Sequence, residues 1–453
     1  MQLVIKRLSG VETTGTRPLT PSNLEGERSY SGNCETLTGS NTKKHHWNYL
    51  EKHHWNYLEM RKRDHKKVLS ARATSCHSPS KIEGAGRACV KATHTPSAQR
   101  PVHQGKTSKA FHSTTKRICT SYFLFFFLTL FLFSGCIDEE EHPDTPQGNF
   151  EALWKIFDEH YCFFDLKREQ LGVDWDEVHQ RYTRQFDSGM TEKQQFEVMT
   201  RMIGELRDGH VNITTSFDYG RNWSWYEDYP INFSENILRN YLGTDYRIAA
   251  GLDYRRLDDN IGYVYYESFA DGIGEGNLDE VMLYLAPCTG LIFDIRNNTG
   301  GQLSNAEKLA ARFTNDEQLV GYMQHKTGKG HNDFSEMMEQ RIKPSDGIRW
   351  QKRVVVLTNR QVFSAANEFV KYMKCFANVT VVGDTTGGGA GMPFSSELPN
   401  GWTVRFSACP MYDREGRSTE QGIAPDIQLS MTAEDEAHGH DTLIEYARKL
   451  LAE

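Results

Sequence analysis

From Ile261 to the end of the chain, short runs of β-branched residues alternate with amphipathic helical segments. A chain with this alternation builds a layered core in which helices cover a sheet. The sequence therefore predicts an α/β core over residues 261–453. We predict its strands at 262–266, 291–296, 353–358, 379–383 and 402–407, and its helices at 277–286, 304–313 and 364–376.

Ser364 lies where the predicted strand at 353–358 passes into the predicted helix at 364–376. The first turn of a helix has free backbone N–H groups and carries the positive end of the helix dipole, and both can stabilise a developing oxyanion. A hydroxyl at this place is therefore a candidate nucleophile. The alternative is an ordinary serine N-cap, which many helices have.

Three further segments contain the partners that a nucleophilic serine needs. Gly300 and Gly301 follow the predicted strand at 291–296, and paired glycines can aim backbone N–H groups at a bound carbonyl. His210 is a candidate general base, because the ordinary pKa of histidine lies near neutral pH. Glu420 lies in a turn-rich segment, from which a carboxylate could orient the imidazole. Taken alone, each is equally compatible with an ordinary loop or surface residue.

Together these segments resemble the tail-specific (C-terminal processing) serine peptidases, in the family's order, over roughly residues 149–430. The resemblance implies a crotonase-like layered α/β fold for the catalytic core, preceded by a small helical domain. The motif Asp208-Gly-His210 is similar to that of the branch that includes tricorn-like peptidases. The other matching motifs are Asp294-x-Arg296-x-Asn298-x-Gly300-Gly301, Ser364-Ala-Ala-x-Glu368, Gly383-Asp-Thr-Thr-Gly-Gly-Gly-Ala390 and Glu420-x-Gly-Ile-x-Pro-Asp426.

One departure from the family concerns its lysine. The best-known members use a Ser-Lys dyad, with the lysine in a Gly-Lys-Gly segment, but the matching position here is Gly389. Lys371 and Lys374 follow Ser364 on the same predicted helix. A rise of about 1.5 Å per residue places them about 10 Å or more from it, too far for direct proton transfer. A lysine dyad is therefore not expected.

The resemblance instead implies a serine endopeptidase of the tricorn-like Ser/His/Glu type, acting on protein or peptide substrates. Ser364 is expected to form an acyl-enzyme, His210 to act as general base, and Glu420 to orient His210. Backbone N–H groups of Gly300 or Gly301 and of Ala365 are the expected oxyanion donors. Glu368, one turn after Ser364, is the alternative carboxylate for orienting His210. Its expected role is packing or hydrogen bonding on the side of the helix. The alternative function is a catalytically inactive binding protein for a hydrophobic ligand or peptide on the same fold.

The predicted core is preceded by helical and aromatic segments. Residues 149–212 contain apolar side chains at helical spacing and are expected to form the small helical domain. Residues 213–260 are aromatic and irregular, and this pattern predicts a connector between the helical domain and the core. Many family members insert a PDZ domain here, but a segment this short is about half the typical domain size of ~100 residues. A complete PDZ domain is therefore not expected.

The N-terminal part differs in charge from the remainder. Residues 1–120 contain 21 Lys and Arg against 8 Asp and Glu, whereas residues 121–453 contain 31 against 52. We predict that residues 1–113 are a disordered or spurious extension, because their composition cannot form a packed core. The acidic remainder makes nucleic acid an improbable partner. The cysteines after Cys136 are widely spaced, so neither a zinc site nor a disulfide scaffold is indicated. No metal and no cofactor is predicted.

Residues 114–136 resemble a bacterial lipoprotein signal peptide. A basic pair precedes twelve nearly all-apolar residues, too few for a comfortable membrane span, and Ser-Gly-Cys136 follows them. We predict that Cys136 is lipidated and that residues 137–148 form an acidic tether. The protein would then be anchored to a membrane of the bacterial cell envelope. The alternative is a single membrane anchor with a basic cytosolic tail.

Overall fold

The computed structural model describes residues 142–221 and 226–453. The predictions for the N-terminal extension, the signal peptide, Cys136 and the first part of the acidic tether lie outside the described residues.

Four helices open the described chain: α1 (Pro146–His160), α2 (Phe164–Leu171), α3 (Trp175–Thr183) and α4 (Glu192–Gly204). Local sequence explains where three of them begin. Thr145 caps α1 ahead of Pro146, Asp174 caps α3, and Thr191 forms a capping box with Gln194 at α4. Their apolar faces share one hydrophobic cluster with strand β12 (Thr403–Tyr412). The helices therefore pack directly on a sheet of the core.

The described strands form two sheets. One has the order β13-β10-β9-β6-β5-β4-β3, and its five strands from β13 to β5 run parallel. Strands β4 and β3 continue it as antiparallel neighbours. These strands are β3 (Arg247–Ala249), β4 (Leu252–Arg256), β5 (Gly262–Tyr266), β6 (Leu291–Asp294), β9 (Val354–Thr358), β10 (Val379–Gly383) and β13 (Ile427–Gln428).

The second sheet has the order β2-β1-β12-β7-β8, with β11 also paired to β12. It contains β1 (Asn212–Thr214), β2 (Tyr219–Arg221), β7 (Gln318–Met323), β8 (Met338–Ile342) and β11 (Gly391–Glu397). Strand β1 begins at Asn212, one residue before the predicted connector, and β2 to β4 and helix α5 (Glu235–Leu242) lie within it. The described part of that segment thus contributes strands to both sheets.

Helices α6 (Glu275–Leu285), α7 (Leu303–Ala310), α8 (Ala365–Met373) and α10 (Thr442–Ala452) contribute side chains to the hydrophobic clusters against the parallel sheet; a short helix, α9 (Ala433–Ala437), precedes α10. Every residue of α8 is buried. The predicted layered α/β core preceded by helices is confirmed. The sequence did not predict β7, β8, β11, β13, α9 or α10, and the strand predicted at 402–407 ends before β12 does. Glycine and proline weaken the strand signal, and Pro393 lies at a register shift in β11.

A buried ion cluster joins the end of β6 to the C-terminal helix. The Arg296 guanidinium donates from Nε and Nη2 to Asp294 and from Nη1 to Asp441, at 2.9, 2.6 and 2.8 Å. Nη1 also donates to the carbonyl of Asn232. Asp441 caps α10 as well, since its carboxylate accepts from the N–H groups of Leu443 and Ile444. The turn that follows β6 is therefore joined to the C-terminal helix α10 by the contact between Arg296 and Asp441.

Candidate active site

Ser364 occupies a strained turn between β9 and α8. Its φ is 58° and its ψ is −125°, an unusual conformation for a residue with a side chain. Its N–H donates to the carbonyl of Gly388 at 2.9 Å, and α8 begins at the next residue. The turn thus presents the hydroxyl at the N-terminus of a buried helix, as predicted.

His210 lies in the loop that follows α4, and its Nε2 is 2.9 Å from Ser364 Oγ. These two residues are 154 positions apart in the chain. The structure therefore brings the predicted nucleophile and the predicted base into hydrogen-bond contact. The Phe363 ring packs against the imidazole, at 4.8 Å from centroid to centroid.

The surroundings of His210 favour the neutral imidazole. Burial lowers the pKa of His210 to about 4; the negative charge of Asp208 opposes this shift, and Arg405 adds to it. Asp208 also accepts the backbone N–H of His210 at 2.8 Å, while its other oxygen accepts from the hydroxyls of Tyr161 and Ser407. A neutral imidazole can accept a proton from the serine at ordinary pH.

The predicted contact between Glu420 and His210 needs correction. Oε2 of Glu420 accepts the backbone N–H of Ala390 at 2.9 Å, and Oε1 lies 3.4 Å from Nζ of Lys167. Within residues 142–221 and 226–453, Nδ1 of His210 has no hydrogen-bond partner. Glu420 therefore does not hold the imidazole directly, because both of its oxygens are directed to other donors. Burial, and then Asp208, raise the pKa of Glu420 to about 8, while Lys167 and the Ala390 N–H act against the rise.

The predicted oxyanion donors differ in availability. The N–H of Gly300 donates to Asn298 Oδ1 at 2.9 Å and is already used. In the described part of the chain, no acceptor is found for the N–H of Gly301 or of Ala365. A Cβ on Gly300 would lie 2.8 Å from the Cβ of Ser364. Gly300 thus allows the two turns to approach each other, while Gly301 and Ala365 remain as candidate donors.

These two turns meet because β6 and β9 are parallel neighbours. The turn with the glycines follows β6, and the turn with Ser364 follows β9, so both lie at the carboxyl edge of the sheet. A hydrogen bond from the Phe363 N–H to the carbonyl of Asn298 joins them at 3.1 Å. This edge is where α/β sheets commonly place their sites.

Glu368, Lys371 and Lys374 were also considered as site residues from the sequence, and each of them is paired with another residue. Glu368 forms a buried ion pair with Lys371 on α8, and Lys371 also donates to Gln340 at 2.9 Å. Lys374 donates to the carbonyl of Ala424 at 3.0 Å and pairs with a nearby aspartate. The ammonium groups of both lysines are thus bound to other acceptors.

Asp208 and Lys167 were not assigned site roles from the sequence. Asp208 had a local signal, since it belongs to the Asp-Gly-His motif. Lys167 had none, because a lysine on a short polar helix is usually solvated. Both are nevertheless buried, at 1% and 4% exposure.

Two family descriptions match the chain. Residues 260–429 match Peptidase family S41, and residues 142–204 match the Tricorn protease C1 domain. A candidate peptidase from Parabacteroides merdae ATCC 43184 has a crystal structure that is 51% identical, with a TM-score of 0.65. The likeness covers 68% of this chain and 97% of that one. The chain belongs to peptidase family S41.

More distant proteins are similar in fold or in part of the core sequence. Mature CPAF complexed with lactacystin is 12% identical, with a TM-score of 0.53, over 68% of this chain and 97% of that one, and shows the fold alone. The carboxy-terminal processing protease CtpA of Bacillus subtilis is 24% identical over 38% of this chain. A probable CtpA-like serine protease of Staphylococcus haemolyticus is 25% identical over 40% of it. The matches span only 36% and 35% of these relatives' lengths.

Among residues 142–221 and 226–453, no helix combines the length and the apolar character that a membrane span needs. Likewise, no three His, Cys, Asp or Glu side chains within the described ranges are grouped so that they could hold a metal ion.

Proposed function

We propose that this S41 chain is a serine endopeptidase that hydrolyses peptide bonds of protein or peptide substrates. The observation that carries the proposal is the 2.9 Å contact between His210 Nε2 and Ser364 Oγ. A neutral base in hydrogen-bond contact with a serine at a helix N-terminus is the arrangement that acyl transfer requires.

In the proposed reaction, Ser364 Oγ attacks the scissile carbonyl while His210 Nε2 takes the hydroxyl proton. The negative oxygen of the tetrahedral intermediate is stabilised by the N–H groups of Gly301 and Ala365. His210 then gives the proton to the leaving amine, and the acyl group stays on Ser364 as an ester. A water molecule, deprotonated by His210, hydrolyses the ester and regenerates the serine.

The two buried carboxylates have separate proposed roles. Asp208 holds the backbone of His210, and its charge stabilises the imidazolium that forms in each step. Glu420 contributes negative charge to the same buried region when it is ionised, and it holds the backbone at Ala390. This role replaces the predicted direct hydrogen bond from the imidazole to the carboxylate of Glu420.

The activity is tested by labelling with a fluorophosphonate, which reacts with activated serines. We expect labelling of the unmodified protein and none of Ser364→Ala, because the nucleophile is removed. Ser395→Ala is the matched control, since Ser395 is exposed on β11 and should label normally. An unlabelled native protein would contradict the proposal and favour the inactive binding protein.

The proposal includes a lipid anchor at Cys136, supported by the apolar run and the Ser-Gly-Cys sequence. We expect Cys136→Ser to release the protein from the membrane fraction or to leave an uncleaved precursor. Cys119→Ser, a control within the predicted signal peptide, should remain anchored. Recovery of peptides from residues 1–100 in the membrane-bound protein by mass spectrometry would contradict cleavage and favour the anchor with a cytosolic tail.

A further inference from the structure

Lys167 is a buried cation beside the candidate active site. It lies on α2, within the segment that matches the Tricorn protease C1 domain, and its side chain is 5% exposed. Its Nζ lies 3.4 Å from both Glu420 Oε1 and the carbonyl of Arg207. Burial of an ammonium is unfavourable unless it is paired. The position of Lys167 is therefore not that of an ordinary solvated lysine on a helix surface.

The two acceptors of Lys167 belong to opposite sides of the active site. The Arg207 carbonyl immediately precedes Asp208-Gly-His210, which carries the base. Glu420 belongs to the other side, because its carboxylate and its carbonyl accept the N–H groups of Ala390 and Gly389.

The adjacent Gly388 carbonyl accepts the N–H of Ser364. Lys167 thus joins the loop of the base to the loop that supports the nucleophile.

The charges around Glu420 show why a cation is needed. Lys167 on α2, Asp208 after α4, and Tyr161 and Cys162 between α1 and α2 act on it electrostatically. Burial raises the pKa values of Tyr161 and Cys162, so both stay neutral. Without Lys167, two buried carboxylates would face each other without a counter-charge, and Glu420 would ionise only at a higher pH.

We propose that Lys167 is a positioning residue for the reaction of Ser364 with His210, because its charge favours the ionised form of Glu420 and because it joins the two catalytic loops. The inference rests on the proposed serine peptidase function. When Glu420 is ionised, the cluster of Asp208, Glu420 and Lys167 carries one net negative charge. The imidazolium that forms when His210 takes the serine proton then neutralises the cluster. Loss of the Glu420 charge would leave that imidazolium less stabilised.

The proposal is tested by the rate of fluorophosphonate labelling, measured from pH 5 to 10. In the native protein we expect the rate to rise as Glu420 ionises, near pH 8. In Lys167→Met the rise should move to higher pH, since the counter-charge is lost. Each unit of upward shift lowers the ionised fraction at pH 7 about tenfold. Lys167→Arg, which keeps the charge, should keep the rise near its native position.

Three controls separate this role from a merely structural one. Arg168→Met removes the neighbouring, exposed cation of α2 and should leave the profile unchanged. Glu420→Gln should abolish the rise. The double variant Lys167→Met/Glu420→Gln removes both charges together and should label as Glu420→Gln does. The double variant also tests the pair if Lys167→Met alone does not fold.

The outcomes distinguish a failure of the proposed function from a failure of the proposed role of Lys167. An unlabelled native protein means that the proposed function has failed, and the role of Lys167 falls with it. Normal native labelling with the same pH profile in Lys167→Met overturns the role of Lys167 alone. A further loss from Lys167→Met in the Glu420→Gln background also overturns it, because Lys167 would then act independently of Glu420.

Discussion

Replacing His210 with alanine is expected to lower kcat/KM for a fluorescent casein substrate by about 10⁴-fold or more. The contact with Ser364 Oγ is lost, and no other described base replaces it, since Lys371 is paired with Glu368 and Gln340. Ser364→Ala should have a similar effect. The double variant should be little worse than either single one, because the two residues act as a unit.

His179→Ala is the matched control, since His179 is a half-exposed histidine of α3 that pairs with Glu151. It should retain nearly native activity. Each variant is checked for folding by thermal denaturation. Losses in His210→Ala and Ser364→Ala that simply multiply in the double variant would show that the two residues act independently, contrary to the proposed mechanism.

Besides the rise expected as Glu420 ionises, the same mechanism predicts a second limb at lower pH in the profile of kcat/KM. Burial lowers the pKa of His210 to about 4, so the imidazole stays neutral over most of the acid range. Activity from this group should be lost as the pH falls through about 4, where Nε2 becomes protonated and can no longer accept the serine proton. A limb near 6.5, the ordinary histidine value, would indicate a more solvated imidazole.

Replacing Arg296 with methionine is expected to lower the free energy of unfolding by about 3–5 kcal/mol. The side chains of Arg296 and Asp294 are fully buried and that of Asp441 nearly so, and the substitution leaves the two carboxylates without their shared cation. Burial of an unpaired charge is among the costliest single changes in a folded protein. The free energy is measured by urea denaturation at neutral pH.

Arg448→Met is the matched control, because Arg448 also bridges two carboxylates, Asp259 and Glu445, but at a partly exposed site. Surface ion pairs of this kind contribute about 0–1 kcal/mol. We expect fluorophosphonate labelling to fall in Arg296→Met, since Asn298 and Gly300 follow directly after the cluster. A loss of stability no larger than that of Arg448→Met would show that the buried cluster is not the main connection between β6 and α10.

Local sequence was sufficient for the regular core and for two members of the site. The runs that became β5, β6, β9 and β10 are short and consist mostly of β-branched, aromatic and other apolar residues, and their signal does not depend on distant contacts. Ser364 and His210 could be identified because their residue types and neighbouring glycines resemble a known family. Strand β11 was missed because Gly391 and Pro393 give no strand signal, and its pairing depends on β12.

The tertiary structure alone decided how the carboxylates and the buried cation are used. The sequence offered Glu420 as a partner for His210, but its oxygens accept from Ala390 and Lys167. Lys167 and Glu420 are 253 positions apart, and no periodicity or motif encodes a contact over that distance. Residue types and local periodicity determined which chemistry was available to this chain. Packing determined which charges are buried together, because burial and pairing depend on contacts between distant segments.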